Sequence, residues 1–385
     1  MLYSKNDKDI CHNDNEPCHD DNKSCQGLCA GRKMMNNETK MKQSYSKYVL
    51  AVFIFGVVTI AIQLLVAMVL VPVFNINTDN GWFSFANVII PMYLIAFPIL
   101  ILITRKAEVK VPEKHSIKFG KFIVCVLLMF GMVGVGAVVG TILNYLVMMP
   151  FGLNPSNNTG IVQIMMNSNP VIRIVTAGIL APIVEELIFR KFLIDRTYRY
   201  GEWAAILTSG LMFGLFHGNL AQFFFTTLIG GLLAYIYIRT GKIWYTIALH
   251  MTLNLATSVV TMFTMQNYMS VDPELMNEYT SLSSQYLASG GDPALQQRMM
   301  EAASQVIPKM MPFMIWMGFL GQLALVGVIL WIVFLAKKKF TIKRTEEQVE
   351  HGMRFAWGNI GMILFIVLVV VEFGLNFYQL VAGSR

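Results

Sequence analysis

Charge is scarce in this chain. Only 14% of its 385 residues are Asp, Glu, Lys or Arg, where a soluble protein of this length carries roughly a quarter. With 55% hydrophobic residues and a mean hydropathy of +0.54, the deficit excludes an ordinary soluble domain and places much of the chain in lipid, where charge is costly. Acidic residues are the scarcer sign, leaving a net charge of +7. Nucleic-acid binding is excluded all the same, because the basic residues sit in short blocks between apolar runs, as orientation signals do. Cysteine is also sparse. Cys125 lies in an apolar run and reads as a small hydrophobe, while Cys11, Cys18, Cys25 and Cys29 lie in a polar N-terminal tail. The first 47 residues contain no early apolar stretch, so no signal peptide is visible. The tail is expected to stay cytoplasmic and reduced, which argues against a disulfide framework. No internal repeat stands out.

Long apolar runs dominate from Tyr48 onward. A helix needs about 20 residues to cross the hydrocarbon core, and the runs predict spans near 48–74, 82–104, 122–149, 171–194, 203–217, 220–238, 243–264, 311–335 and 356–381. The expected fold is therefore all-α, a polytopic membrane bundle of about nine transmembrane helices. It divides into a disordered polar tail (1–47), three helices with their loops (48–169), a polar-studded core (170–264), an extracytoplasmic loop or set of short surface helices (265–310) and two C-terminal helices (311–385). With the N-terminus inside, 26 of the 30 Lys and Arg residues fall on the inner side, and the segments 75–81 and 150–169 contain none. This bias predicts a cytoplasmic N-terminus, an extracytoplasmic C-terminus and hence an odd number of spans in the cell membrane.

Ionisable residues at membrane depth are functional candidates by default. Glu185-Glu186-Leu187-Ile188-Phe189-Arg190 is the richest run. Glu186 and Arg190 are four apart and share a helix face, so they can pair. Glu185 is rotated by about 100° and points elsewhere. A structural ion pair explains Glu186 and Arg190 but not a second adjacent carboxylate. Two further sites are Phe213-Gly214-Leu215-Phe216-His217 and His250-Met251-Thr252-Leu253-Asn254. Of the six histidines, only His217 and His250 lie in or at the edge of apolar runs. A lone membrane histidine is as often an interhelical hydrogen-bonding group. Imidazole and carboxylate together are a usual means of activating water, and an Asn with a second His can donate to a developing oxyanion.

Together these three motifs, over roughly 170–262, resemble the bacterial CPBP intramembrane protease family, also called the Abi or CAAX-protease-like family, related to the type II CAAX prenyl endopeptidases. The resemblance implies a peptidase in which Glu185 acts as general base on a water with His217 assisting. His250 and Asn254 would stabilise the oxyanion, and Glu186, Arg190 and Phe213 would support the site. Zinc held by Glu185, His217 and His250 is an alternative. The His-Glu-x-x-His arrangement is absent, and metal-free glutamate catalysis without a cofactor is the preferred reading. Implied partners are a membrane protein or peptide substrate and the bilayer. On a straight residue count His217 lies nearer the outside than Glu185 and His250. Convergence then requires the fifth span to start deeper, or to tilt or break at Gly210 and Gly214.

Competing readings are a transporter using the buried charges as a proton relay, or a non-catalytic scaffold. The polar set clusters in one stretch and not in two repeated halves, unlike a transporter. Cys11-His12 and Cys18-His19 hint at a metal-binding tail, but the spacing is not that of a zinc ribbon, and the polar surroundings favour disorder. Met299, Met300, Met310 and Met311 read as interfacial packing. Glu372 sits alone in the last span and takes no role from the sequence. The orientation yields a test: tags at Asn157 and Asp292 should be accessible outside the cell, and tags at Lys114 and Lys343 inside. Accessibility labelling that places Lys114 outside would overturn it.

Overall fold

The computed structural model describes residues 23–78, 81–106, 109–152, 169–342 and 352–383. Eleven helices carry this part of the chain, with no strand among the described residues. They are α1 (23–74), α2 (81–104), α3 (Phe119–Met148), α4 (170–197), α5 (Glu202–Phe216), α6 (Leu220–Thr240), α7 (Ile243–Met269), α8 (Pro273–Ala288), α9 (Pro293–Ala336), α10 (Gly352–Trp357) and α11 (Ile360–Gly383). Seven helices are long and apolar enough to cross a membrane: 42–74 within α1, 85–104 within α2, α3 with its extension to Phe151, α6, α7, α9 and α11. The remaining two of the nine expected spans are α4, whose charged residues break its apolar character, and α5, which at 15 residues is only about 22 Å long. Large apolar side chains stay exposed on the outer helices, including Leu325 at 63% and Ile332 at 62% on α9 and Val370 at 63% on α11. Such faces mark contact with lipid or with another protein, and these lie on helices long and apolar enough to span a membrane.

Helix extends beyond the expected spans in two places. The tail was expected to be disordered to residue 47, but α1 begins at Lys23. A helix propagates outward from an established apolar segment more readily than it nucleates, and the polar run upstream of Tyr48 contains no proline after Pro17 to stop it. Residues 1–22, with Cys11, His12, Cys18 and His19, lie outside the described residues. The 265–310 region is helical too. Asp272 caps α8 by accepting from the Glu274 amide, and Asp292 caps α9 by accepting from the Ala294 amide, each with Pro at the first helical position. The predicted span 311–335 is thus the second part of one 44-residue helix that continues through Pro308 and Pro312.

α4 organises the interior. Asn169 caps it through the Val171 amide, and Pro170 occupies its first position. It contains two widened turns of π-helical geometry, Ile174–Leu180 and Leu187–Phe192. A widened turn leaves backbone groups to be satisfied from elsewhere. In the second one, Tyr48 on α1 donates to the Ile188 carbonyl at 2.5 Å, and Ser209 on α5 donates to the Phe189 carbonyl at 2.7 Å. Both bonds are buried, so α1 and α5 are pinned at a set height on α4. Around them lies the largest apolar cluster, including Tyr45, Tyr48, Phe55, Leu100, Ile188, Phe189, Phe213 and Phe365.

α5 packs along α6 through glycine. A Cβ on Gly210 would stand 2.9 Å from the Gly231 amide nitrogen, so only glycine admits this approach of two backbones. α5 is continuous through Gly210 and Gly214 and starts at Glu202. Of the three alternatives, a break at these glycines is absent, and they serve as contact points. His217 instead reaches the site because Ser209 stands level with Phe189 on α4. Replacing Tyr48 with Phe should leave the Ile188 carbonyl buried without a partner and cost about 1–3 kcal/mol. Thermal unfolding of the purified protein checks this, and an unchanged midpoint would show that the bond is dispensable.

Candidate active site

Glu186 and Arg190 are both fully buried. The two oxygens of Glu186 serve two helices. Oε2 stands 3.2 Å from Arg190 Nε on the next turn of α4, and Oε1 stands 2.9 Å from His250 Nδ1 on α7. Because a carboxylate can only accept, His250 carries its hydrogen on Nδ1, and its Nε2 faces the site. The guanidinium of Arg190 makes no hydrogen bond of good geometry. Its carbon lies 4.3 Å from the centroid of the Phe213 ring, so the cation is held by the carboxylate charge on one side and an aromatic face on the other.

Glu185 points away from this pair, as its rotation on the helix predicts. Its side chain is 14% exposed against 0% for Glu186, and its Oε2 lies 3.8 Å from His250 Nε2. That separation is too long for a hydrogen bond. Glu185 is therefore beside the second histidine without being tied to it, and it makes no hydrogen bond among the described residues.

Phe213 is the platform of the site. Its ring stands edge to face with His217 at 4.9 Å and with His250 at 5.6 Å, besides carrying Arg190. Phe189 completes the stack at 5.4 Å from Phe213. His217 closes the end of α5, with Nδ1 at 2.8 Å from the Phe213 carbonyl. A carbonyl can only accept, so this nitrogen carries the hydrogen and Nε2 is left as the acceptor. The turn that follows is held by Asn219, whose Nδ2 donates to the His217 carbonyl and whose Oδ1 accepts from the Gln222 amide to cap α6.

Asn254, one turn beyond His250, donates Nδ2 to the Ala177 carbonyl in the first widened turn of α4 at 3.0 Å. The structure thus brings Glu185, Glu186, Arg190, Phe213, His217 and His250 into one constellation. Asn254 joins its edge with one amide hydrogen engaged. Sequence reasoning missed the bond between Glu186 and His250, and no local signal could have found it across 64 positions. Among the described residues no three His, Cys, Asp or Glu side chains are grouped to hold a metal ion.

Removing Arg190 would leave Glu186 buried beside His250 without its cation. Arg190→Ala should cost about 3–5 kcal/mol and lower both yield and melting temperature. The double replacement Glu186→Gln with Arg190→Met should recover most of that loss, since it removes both charges and keeps an acceptor for His250. If the double variant is as unstable as the single one, the guanidinium has a role other than neutralising Glu186.

Residues 167–256 match a protein family described as type II CAAX prenyl endopeptidase Rce1-like. Every residue of the constellation falls inside this segment. A stretch of 121 residues is 31% identical to the Putative membrane peptidase YdiL of Bacillus subtilis (strain 168), covering 31% of this chain and 49% of that protein. The chain thus spans about half the length of this relative. No solved structure matches. The residues Glu185-Glu186, Phe213-x-x-x-His217 and His250-x-x-x-Asn254 all lie in this core, and the segment 167–256 is similar to the Rce1-like, CAAX-protease-like (CPBP) family.

Proposed function

We propose that the chain is an intramembrane endopeptidase that hydrolyses a peptide bond of a membrane-associated protein or peptide. One observation carries this reading: of two adjacent carboxylates, Glu186 is bound by a cation and an imidazole, whereas Glu185 makes no hydrogen bond and stands partly exposed beside His250. A purely structural ion network has no use for the second carboxylate.

In this reading Glu185 takes a proton from water, and the hydroxide adds to the scissile carbonyl. His217 assists with Nε2, its other nitrogen being held by the Phe213 carbonyl. The resulting oxyanion is met by the second amide hydrogen of Asn254 and by His250 Nε2 when that nitrogen is protonated. The proton on Glu185 then passes to the departing amine as the C–N bond breaks. Glu186, Arg190 and Phe213 fix the imidazole rings and touch no reacting atom. Each preorganised donor of this kind is worth a few kcal/mol to a transition state. We further propose that no metal takes part, and that the chain lies with its N-terminus in the cytoplasm and its C-terminus outside.

Glu185→Gln should lower cleavage at least a hundredfold, about the lower range for loss of a general base, while insertion and yield stay as in the wild type. The substrate is sought by comparing peptides in the membrane and the medium of cells carrying either form. A purified Glu185→Gln protein that still cleaves at the wild-type rate would sink the assignment. Elemental analysis decides the metal: one tightly held zinc per chain, with activity lost on chelation and restored by zinc, would refute the metal-free mechanism.

A further inference from the structure

The last span brings a second polar pair to the site, from outside the family segment. Asn376 on α11 donates Nδ2 to the Gly218 carbonyl at 2.8 Å. Gly218 immediately follows His217 and has φ 63°, a conformation that favours glycine. One helical turn before Asn376 lies Glu372. A Cβ placed on Gly218 would stand 3.3 Å from Glu372 Oε2 and 3.6 Å from Asn376 Nδ2, so both side chains face the turn that carries His217.

Glu372 is half-buried and has no hydrogen-bond or ion-pair partner among the described residues. α11 contains no Lys, Arg or His between Ile360 and Gly383 that could neutralise it. Asn376 is anchored through its amide nitrogen, which leaves its Oδ1 as an acceptor on the same face. Two acceptors, one of them a carboxylate in an apolar helix, make a place for a donor that carries positive charge. Such a donor has to come from outside this helix, and the contact with Gly218 puts it beside the turn that follows His217, at the edge of the site.

We propose that Glu372 is a specificity-determining residue of the peptidase: it binds a lysine or arginine side chain of the substrate close to the scissile bond, with Asn376 fixing the rim. This rests on the protease reading above. Asn376 is the positioning residue of the pair, and Glu372 is the one that touches substrate.

The test uses the full-length protein carrying Glu185→Gln, so that a bound peptide is not cleaved during the measurement, and a library of short apolar peptides with one randomised position. Retained peptides are read by mass spectrometry. Lysine and arginine should be enriched about tenfold over leucine and methionine, the ratio given by roughly 1.4 kcal/mol of ion pairing. Adding Glu372→Gln should abolish the enrichment, Glu372→Asp should keep it, and Glu372→Lys should shift it to aspartate and glutamate. No basic enrichment, or an enrichment that survives Glu372→Gln, overturns the proposal. A uniform loss of all peptides in Glu372→Gln with none of the reversal in Glu372→Lys does so too, since it would mark a structural carboxylate. The same library offered to the protein with Glu185 intact tests the protease reading separately: absence of cleavage there counts against hydrolysis, and the retention result still decides Glu372.

Discussion

Everything at the centre of this bundle depends on one carboxylate shared between two cationic or donor groups. Glu186 meets Arg190 on its own helix and His250 on another, at a place with no exposure to solvent. A charge so placed is tolerable only if both oxygens are engaged, and the two engagements fix different things. The contact to Arg190 is local and sets the face of α4. The contact to His250 is long-range and sets the distance of α7 from α4. Because Arg190 in turn lies on Phe213, the same charge governs the position of α5. Three helices are thus held in register by one buried carboxylate, and the helical rotation between adjacent residues turns the neighbouring Glu185 away from it.

The widened turns of α4 belong to the same design. A regular α-helix would satisfy its own carbonyls and present a closed surface. Here Ile188 and Phe189 receive hydroxyls from Tyr48 and Ser209, and Ala177 receives the amide of Asn254. α4 therefore acts as an acceptor rod for α1, α5 and α7. This gives directional contacts where lipid provides no hydrophobic force to press helices together.

Much of this was legible in the sequence, for reasons that are local. The spans follow from apolar length, and the Glu186–Arg190 pair follows from a spacing of four. The divergence of Glu185 follows from the helical angle. The two membrane histidines stand out because every other histidine lies in a polar segment. What was not legible is what depends on contacts distant in sequence. The hydrogen bond from His250 to Glu186, the stacking of three groups on Phe213 and the approach of Glu372 to Gly218 each join separate spans. The level of His217 relative to α4 could not be read from a residue count along α5, which takes no account of how α5 packs on α4. That height is set by Ser209 and by the close contact at Gly210. The helical start at Lys23 was missed because a polar composition describes side chains in water, not a backbone already nucleated by the apolar run beside it.

The turn after α5 has a consequence in entropy. The His217 carbonyl is closed by Asn219, the Gly218 carbonyl by Asn376, and the imidazole by the Phe213 carbonyl. Each bond removes a freedom that a histidine at a helix end would ordinarily keep, and each closes when the chain folds. The cost of ordering that ring, on the order of 1 kcal/mol or more for a side chain and its backbone, is therefore met once in the life of the molecule. It does not recur afterwards, so a ring whose turn is fixed by amides from two directions stays aimed.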